Sequence, residues 1–72
     1  MKRVPVSSSS LRSVGYDETA SVLEVEFLDG GVYEYSNVPA KHHANLMSAK
    51  SIGSYFATHI KKGGYPCRRL YR

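Results

Sequence analysis

Lys41, Lys50, Lys61, Lys62, Arg68, Arg69 and Arg72 all follow Glu34, the last carboxylate in the chain. Tyr65 and Tyr71 are interleaved with the final cations. Ammonium and guanidinium groups in an acid-free stretch hold phosphate oxygens, and tyrosines set among them stack on unpaired bases. All six acids (Asp17, Glu18, Glu24, Glu26, Asp29, Glu34) lie in the first 34 residues, beside only Lys2, Arg3 and Arg12. Residues 1–34 therefore carry a net −3 and residues 35–72 a net +7. A field of one sign gathers counter-charge, so the expected partner is a polyanion, RNA before DNA. Its contacts would be mainly to phosphate, with limited sequence specificity. A solvated basic surface that only aids solubility is the competing reading of the same charges.

The other reactive side chains lack company. His42 and His43 are adjacent, and neighbours on a helix point about 100° apart. No Cys, Asp or Glu in the helical region completes a ligand set with them or with His59, so no metal is expected. Ser7–Ser10 has no base or orienting group beside it and no G-x-S-x-G context. The acids alternate along a strand pattern instead of flanking a pocket. The expectation is a non-enzymatic domain without a small-molecule cofactor. Cys67 is the only cysteine, so no internal disulfide forms. Lys2 and Arg3 lead into no apolar h-region, and no apolar run approaches the roughly 20 residues of a membrane span. A cytoplasmic protein away from the membrane is expected.

Seventy-two residues make one small domain. A chain of this size buries only roughly 60% of its unfolded surface, which leaves little room for a deep dry cavity. Residues 1–8 read as an extended leading segment, with Pro5 suited to an edge or loop. Leu11 to Tyr16 is a first strand whose broken alternation, beside Gly15, predicts a bulge. Asp17–Ser21 is a turn. Leu23, Val25 and Phe27 alternate with Glu24 and Glu26, the pattern of a half-buried strand. Asp29-Gly30-Gly31 turns the chain, and Val32–Tyr35 returns. Setting Leu28 opposite Val32 puts Phe27 against Tyr33 and Val25 against Tyr35, with the three glutamates on the other, solvent-facing side.

Pro39 opens a helix to about Ala49, with Ala40, His43, Leu46 and Met47 on one stripe. Ser51 is the N-cap of a second helix to Lys61, carrying Tyr55, Phe56, His59 and Ile60 on its apolar face. Gly53 within it implies close approach of another segment. His43 and His59 are expected to pack helix against helix. Gly63-Gly64 stops the helix. The predicted fold is α+β: a three-stranded antiparallel β-meander followed by two short α-helices packed on one face. The division is an extended segment 1–8, a folded domain 9–60 and a basic tail 61–72.

Several motifs together resemble the KTSC family, a small domain at the carboxy terminus of some lysyl-tRNA synthetases and also a stand-alone bacterial or phage protein. They are Ser9-Ser10-Leu11, Val14-Gly15-Tyr16-Asp17, Leu23-x-Val25-x-Phe27, Gly30-Gly31-Val32-Tyr33-x-Tyr35, Val38-Pro39, Ala49-x-Ser51-x-Gly53-x-Tyr55-Phe56 and Ile60. They span residues 9–60. The family's central Tyr-x-Tyr falls on Tyr33 and Tyr35. The resemblance implies RNA binding through the company these domains keep.

Tyr33 and Tyr35 share the face the helices should cover, so they are read as core or half-buried residues rather than a stacking platform. The nucleic-acid contacts are assigned to Lys41, Lys50, Lys61, Lys62, Tyr65, Arg68, Arg69, Tyr71 and Arg72. The alternative is a protein-interaction module that uses the exposed edge of the three-stranded sheet to add a partner's strand.

Overall fold

The structure is a computed structural model that describes residues 2–71, with the side chain of Tyr71 left out. Arg72, one of the expected contacts, lies outside the described residues. Five antiparallel strands form one sheet in chain order: β1 (Val4–Pro5), β2 (Leu11–Asp17), β3 (Val22–Phe27), β4 (Val32–Tyr35) and β5 (Cys67–Tyr71). Between β4 and β5 lie α1 (Ala40–Met47) and α2 (Ile52–Tyr55), and α2 continues into a π-helix over Phe56–Lys61. The α+β class, the antiparallel meander and the two-helix cover match expectation. The count of three strands does not.

The two missed strands lie at the edges. Val4 pairs with Val14 and Pro5 with Ser13, an edge position that suits a proline with no N–H to donate. The supposed basic tail is the other edge. Cys67 pairs with Tyr35, Arg68 with Glu34, Arg69 with Tyr33 and Tyr71 with Val32. So the boundary at residue 61 falls within the folded domain. Lys61 closes the π-helix, and only a short turn separates it from β5. Both edges of the expected three-stranded sheet are filled by the chain itself, β2 by β1 and β4 by β5.

The hairpin register also differs. Val25 opposes Tyr33 and Leu23 opposes Tyr35, two residues away from the expected pairing. The turn sits one residue earlier than expected, over Leu28-Asp29-Gly30: the Phe27 N–H donates to Gly31 O at 2.8 Å, and the Gly30 N–H donates to Phe27 O at 3.0 Å. A slip of two preserves every face assignment, because side chains alternate with a period of two. The bulge in β2 falls between Leu11 and Ser13, at Arg12 and not at Gly15.

The core joins one face of the sheet to the helices. Leu11, Val14, Leu23, Val25 and Tyr35 meet Val38, Leu46, Phe56 and Ile60. Ser51 caps α2 as expected, its Oγ accepting from the Ser54 N–H at 3.3 Å. Gly53 is where the leading segment touches the helix. A Cβ there would lie 3.1 Å from Ser10 Oγ and 3.3 Å from Ser8 Oγ. The Tyr16 hydroxyl donates to Val38 O at 2.6 Å and pins the β4–α1 connection to the sheet.

This topology makes residues 66–71 structural. Deleting them removes the neighbour of Tyr35 and the bond from the Ser36 N–H to Pro66 O. The deletion should lower the unfolding free energy by at least about 2 kcal/mol, the scale of uncovering one large side chain. Urea denaturation followed by circular dichroism measures it; an unchanged midpoint would return these residues to the status of a tail.

Candidate nucleic-acid interface

The side of the sheet away from the helices carries Glu24, Glu26 and Glu34, but it is not an acidic face. Arg3 pairs with Glu24, Arg12 lies 3.8 Å from Glu26, and Arg68 lies 2.9 Å from Glu34. Ser13 donates to Glu26 at 2.9 Å and accepts from Arg3 Nε at 3.1 Å, linking two of the pairs. Partly exposed pairs of this kind contribute about 0–1 kcal/mol each, so their main effect is on the field. They neutralise this face and engage Arg68, one of the cations expected to contact phosphate.

Strand alternation sends Arg69 to the other side. Its guanidinium carbon sits 5.6 Å from the Tyr33 ring centroid, a cation–π distance. Tyr33 also makes an edge contact with Phe27, at 5.4 Å between centroids. Beside them Phe27, Asp29, Tyr33, Tyr35, Lys61 and Cys67 line an open cleft of about 420 Å³. The Tyr-x-Tyr pair divides its roles here. Tyr35 is 5% exposed and belongs to the core, with its hydroxyl pushed well above the ordinary tyrosine range by burial and then by the neighbouring Cys67 thiol. Tyr33 is half-buried and walls the cleft.

Lys61 and Lys62 end the π-helix, both exposed. Gly63 then lets the chain fold back tightly. A Cβ at this position would lie 2.7 Å from His59 O and 2.8 Å from the Tyr65 ring. Tyr65 is thereby held against the helices, half-buried, its ring 6.1 Å from that of His42. Lys41 and Lys50 stand elsewhere. Lys41 is exposed in the first turn of α1, and Lys50 joins Ser7, Ser8, Ser9, Ser51 and Ile52 around a second hollow of about 280 Å³. Lys41, Lys50, Lys61 and Lys62 form no ion pair among the described residues. The nine expected contacts thus divide. Lys61 lines the cleft, with Lys62 next to it in the chain and Arg69 over the Tyr33 ring. Arg68 faces the opposite way, and the Tyr71 side chain and Arg72 lie outside the described residues.

The histidines correct another expectation. His43 packs on the sheet, stacked on Tyr16 at 4.9 Å and 11° between planes. It is His42 that joins the helices: its Nδ1 shares a 3.0 Å hydrogen bond with the Tyr55 hydroxyl, and its ring is 6.2 Å from His59. The adjacent pair follows the helical turn, so only one of them faces the second helix. Among the described residues no three His, Cys, Asp or Glu side chains gather as a metal site.

Burial against Tyr16 lowers the His43 pKa from 6.5, because desolvation penalises the imidazolium. The unfolded chain therefore binds more protons than the native one below about pH 6.5, and stability should fall as pH drops through that window. The His43 ring resonances should titrate with a midpoint under 6.5 in an NMR pH series. A midpoint above that value would contradict the buried stack.

Fold and site together define a small α+β domain whose aromatic-walled cleft, lined by Lys61 and Asp29, opens where the last strand meets the end of the last helix. The chain belongs to the KTSC domain family, whose model matches residues 7–65. A crystal structure of a KTSC domain protein from Yersinia pestis superposes with a TM-score of 0.90 at 45% identity, covering 96% of both chains. An uncharacterised protein of Stutzerimonas stutzeri (strain A1501) is 46% identical over 70 residues, 97% of this chain and 99% of its own. A lysine–tRNA ligase of Trichormus variabilis is 40% identical over 53 residues, which is 74% of this chain and 9% of the ligase. No helix among the described residues is long and apolar enough to cross a membrane.

Proposed function

We propose that this protein is a small, non-enzymatic, cytoplasmic accessory domain that binds RNA at the end of its last helix and the adjoining edge of the sheet. One observation carries the reading: the open sheet face is neutralised by Arg3, Arg12 and Arg68, while Lys61, Lys62 and Arg69 form no ion pair among the described residues, and Lys61 and Arg69 lie beside half-buried Tyr33. Cations beside an aromatic wall are what a single-stranded polyanion requires. The partial match to a lysine–tRNA ligase supports an accessory role, because the matched segment is a small part of a protein named for its RNA substrate.

Labelled mixed-sequence single-stranded RNA, followed by fluorescence anisotropy in a salt series, tests the proposal. The logarithm of the affinity should fall linearly with the logarithm of salt, by about 0.7 per neutralised phosphate. Absence of binding at low salt would end the RNA reading. The second reading, a protein partner, draws on the outer edge of β5, the last strand of the sheet, which is unpaired among the described residues. Arg68 and Arg69 on that strand favour an acidic partner segment, and a pull-down that survives nuclease treatment would support it.

A further inference from the structure

Asp29 is out of place in a site for phosphate. It lines the cleft with Lys61 and Tyr33, and it forms no ion pair among the described residues. Its Oδ1 accepts the Gly31 N–H at 2.9 Å, which ties the carboxylate to the β3–β4 turn. That bond leaves Oδ2, and further lone-pair capacity on Oδ1, free to accept. A carboxylate held beside cations repels a backbone phosphate but takes hydrogen bonds from a donor. A nucleotide offers both kinds of group at once: an anionic phosphate and a base edge that carries N–H donors.

We propose that the cleft is a base-reading subsite that prefers guanine in single-stranded RNA. The base lies against the aromatic wall of Phe27 and Tyr33, its flanking phosphate meets Lys61 and Arg69, and Asp29 accepts from its Watson–Crick edge. The four bases differ at that edge. Guanine presents N1–H and N2–H side by side, two donors for two carboxylate oxygens. Adenine and cytosine each present one amine next to an acceptor. Uracil presents a single N3–H between two carbonyls, which the carboxylate repels. The cleft, at about 420 Å³, lies in the range of small-ligand sites. This subsite rests on the RNA reading above and adds to it a base selectivity that unpaired lysines alone do not confer.

The test compares a short uridine-only RNA with the same RNA carrying one central guanosine, adenosine or cytidine. Anisotropy at fixed salt should show the guanosine form bound about tenfold more tightly than the uridine-only form, the scale of one good bidentate base contact. Asp29→Asn should abolish that preference, because an amide offers one donor and one acceptor where two acceptors are needed. The Asn oxygen still accepts the Gly31 N–H, so the turn is retained, and circular dichroism checks the fold. Uridine-only RNA should bind the variant at least as well as it binds the unmodified protein, since a negative charge has gone. Equal affinity for all four RNAs, or a guanosine preference that survives Asp29→Asn, overturns the subsite and leaves the electrostatic reading standing. Failure of every RNA to bind at low salt removes both, and a nuclease-resistant protein complex would then account for the surface.

Discussion

Phe56→Ala should cost about 3–5 kcal/mol of unfolding free energy, the usual range for deleting a buried aromatic ring. Phe56 is 3% exposed and sits where α2 passes into the π-helix. Its ring meets Phe27 edge-on at 5.6 Å and Tyr35 at 5.4 Å, so one side chain joins the helical layer to β3 and β4. Truncation removes the transfer free energy of the ring, both edge contacts and the support for the cleft wall behind Phe27. Small domains have unfolding free energies near the low end of about 5–15 kcal/mol, so the variant should be close to unfolded at room temperature. Urea denaturation monitored by circular dichroism measures the loss. Met47→Ala, at a residue 36% exposed, is the control and should lose far less. A Phe56→Ala loss under about 1 kcal/mol would mean that the helices do not rest on the sheet as described.

The largest effect on binding is expected from Lys61→Ala combined with Lys62→Ala. Both side chains are exposed and without ion pairs among the described residues, so the fold should tolerate the change. Each lost phosphate contact removes about 0.7 from the salt slope on single strands, which at about 0.1 M salt is roughly a fivefold loss of affinity. Two contacts give a loss of about 25-fold and a slope shallower by about 1.4. Arg68→Ala should do much less, because its guanidinium is engaged by Glu34 on the opposite face. A loss from Arg68→Ala half as large, on a logarithmic scale, as that from the lysine pair would show that binding follows net charge and not the helix end. Anisotropy at several salt concentrations separates these outcomes.

Much of the fold was legible because its signals are local. Alternation in Leu23–Phe27 and Val32–Tyr35 marked the inner face, and the two-residue slip in register left that assignment intact. Ser51 and Gly53 announced a capped helix under a close neighbour, and both roles are observed. The edge strands carried no such signal. β1 has two residues, and one of them is proline. In β5 the inward positions are Cys67 and Arg69, which look like part of a solvated charge run because an edge strand has little apolar surface to bury. The cleft was illegible for a related reason: Asp29 and Tyr33 share the central hairpin, but Lys61 and Cys67 join them only when the helices and the last strand pack on it.

The chain alone determined the class of fold, the inner and outer faces of the central hairpin, the helix caps and the excess of cations after Glu34. Each of these is set by residues a few positions apart, where alternation, capping and turn chemistry act. Only the tertiary structure decided which cations are spoken for. Arg3 finds Glu24 across 21 residues and Arg68 finds Glu34 across 34, while Lys61 and Lys62 find no carboxylate among the described residues. The physical reason is range: an ion pair forms within a few ångströms, and strand order alone sets which distant residues come that close.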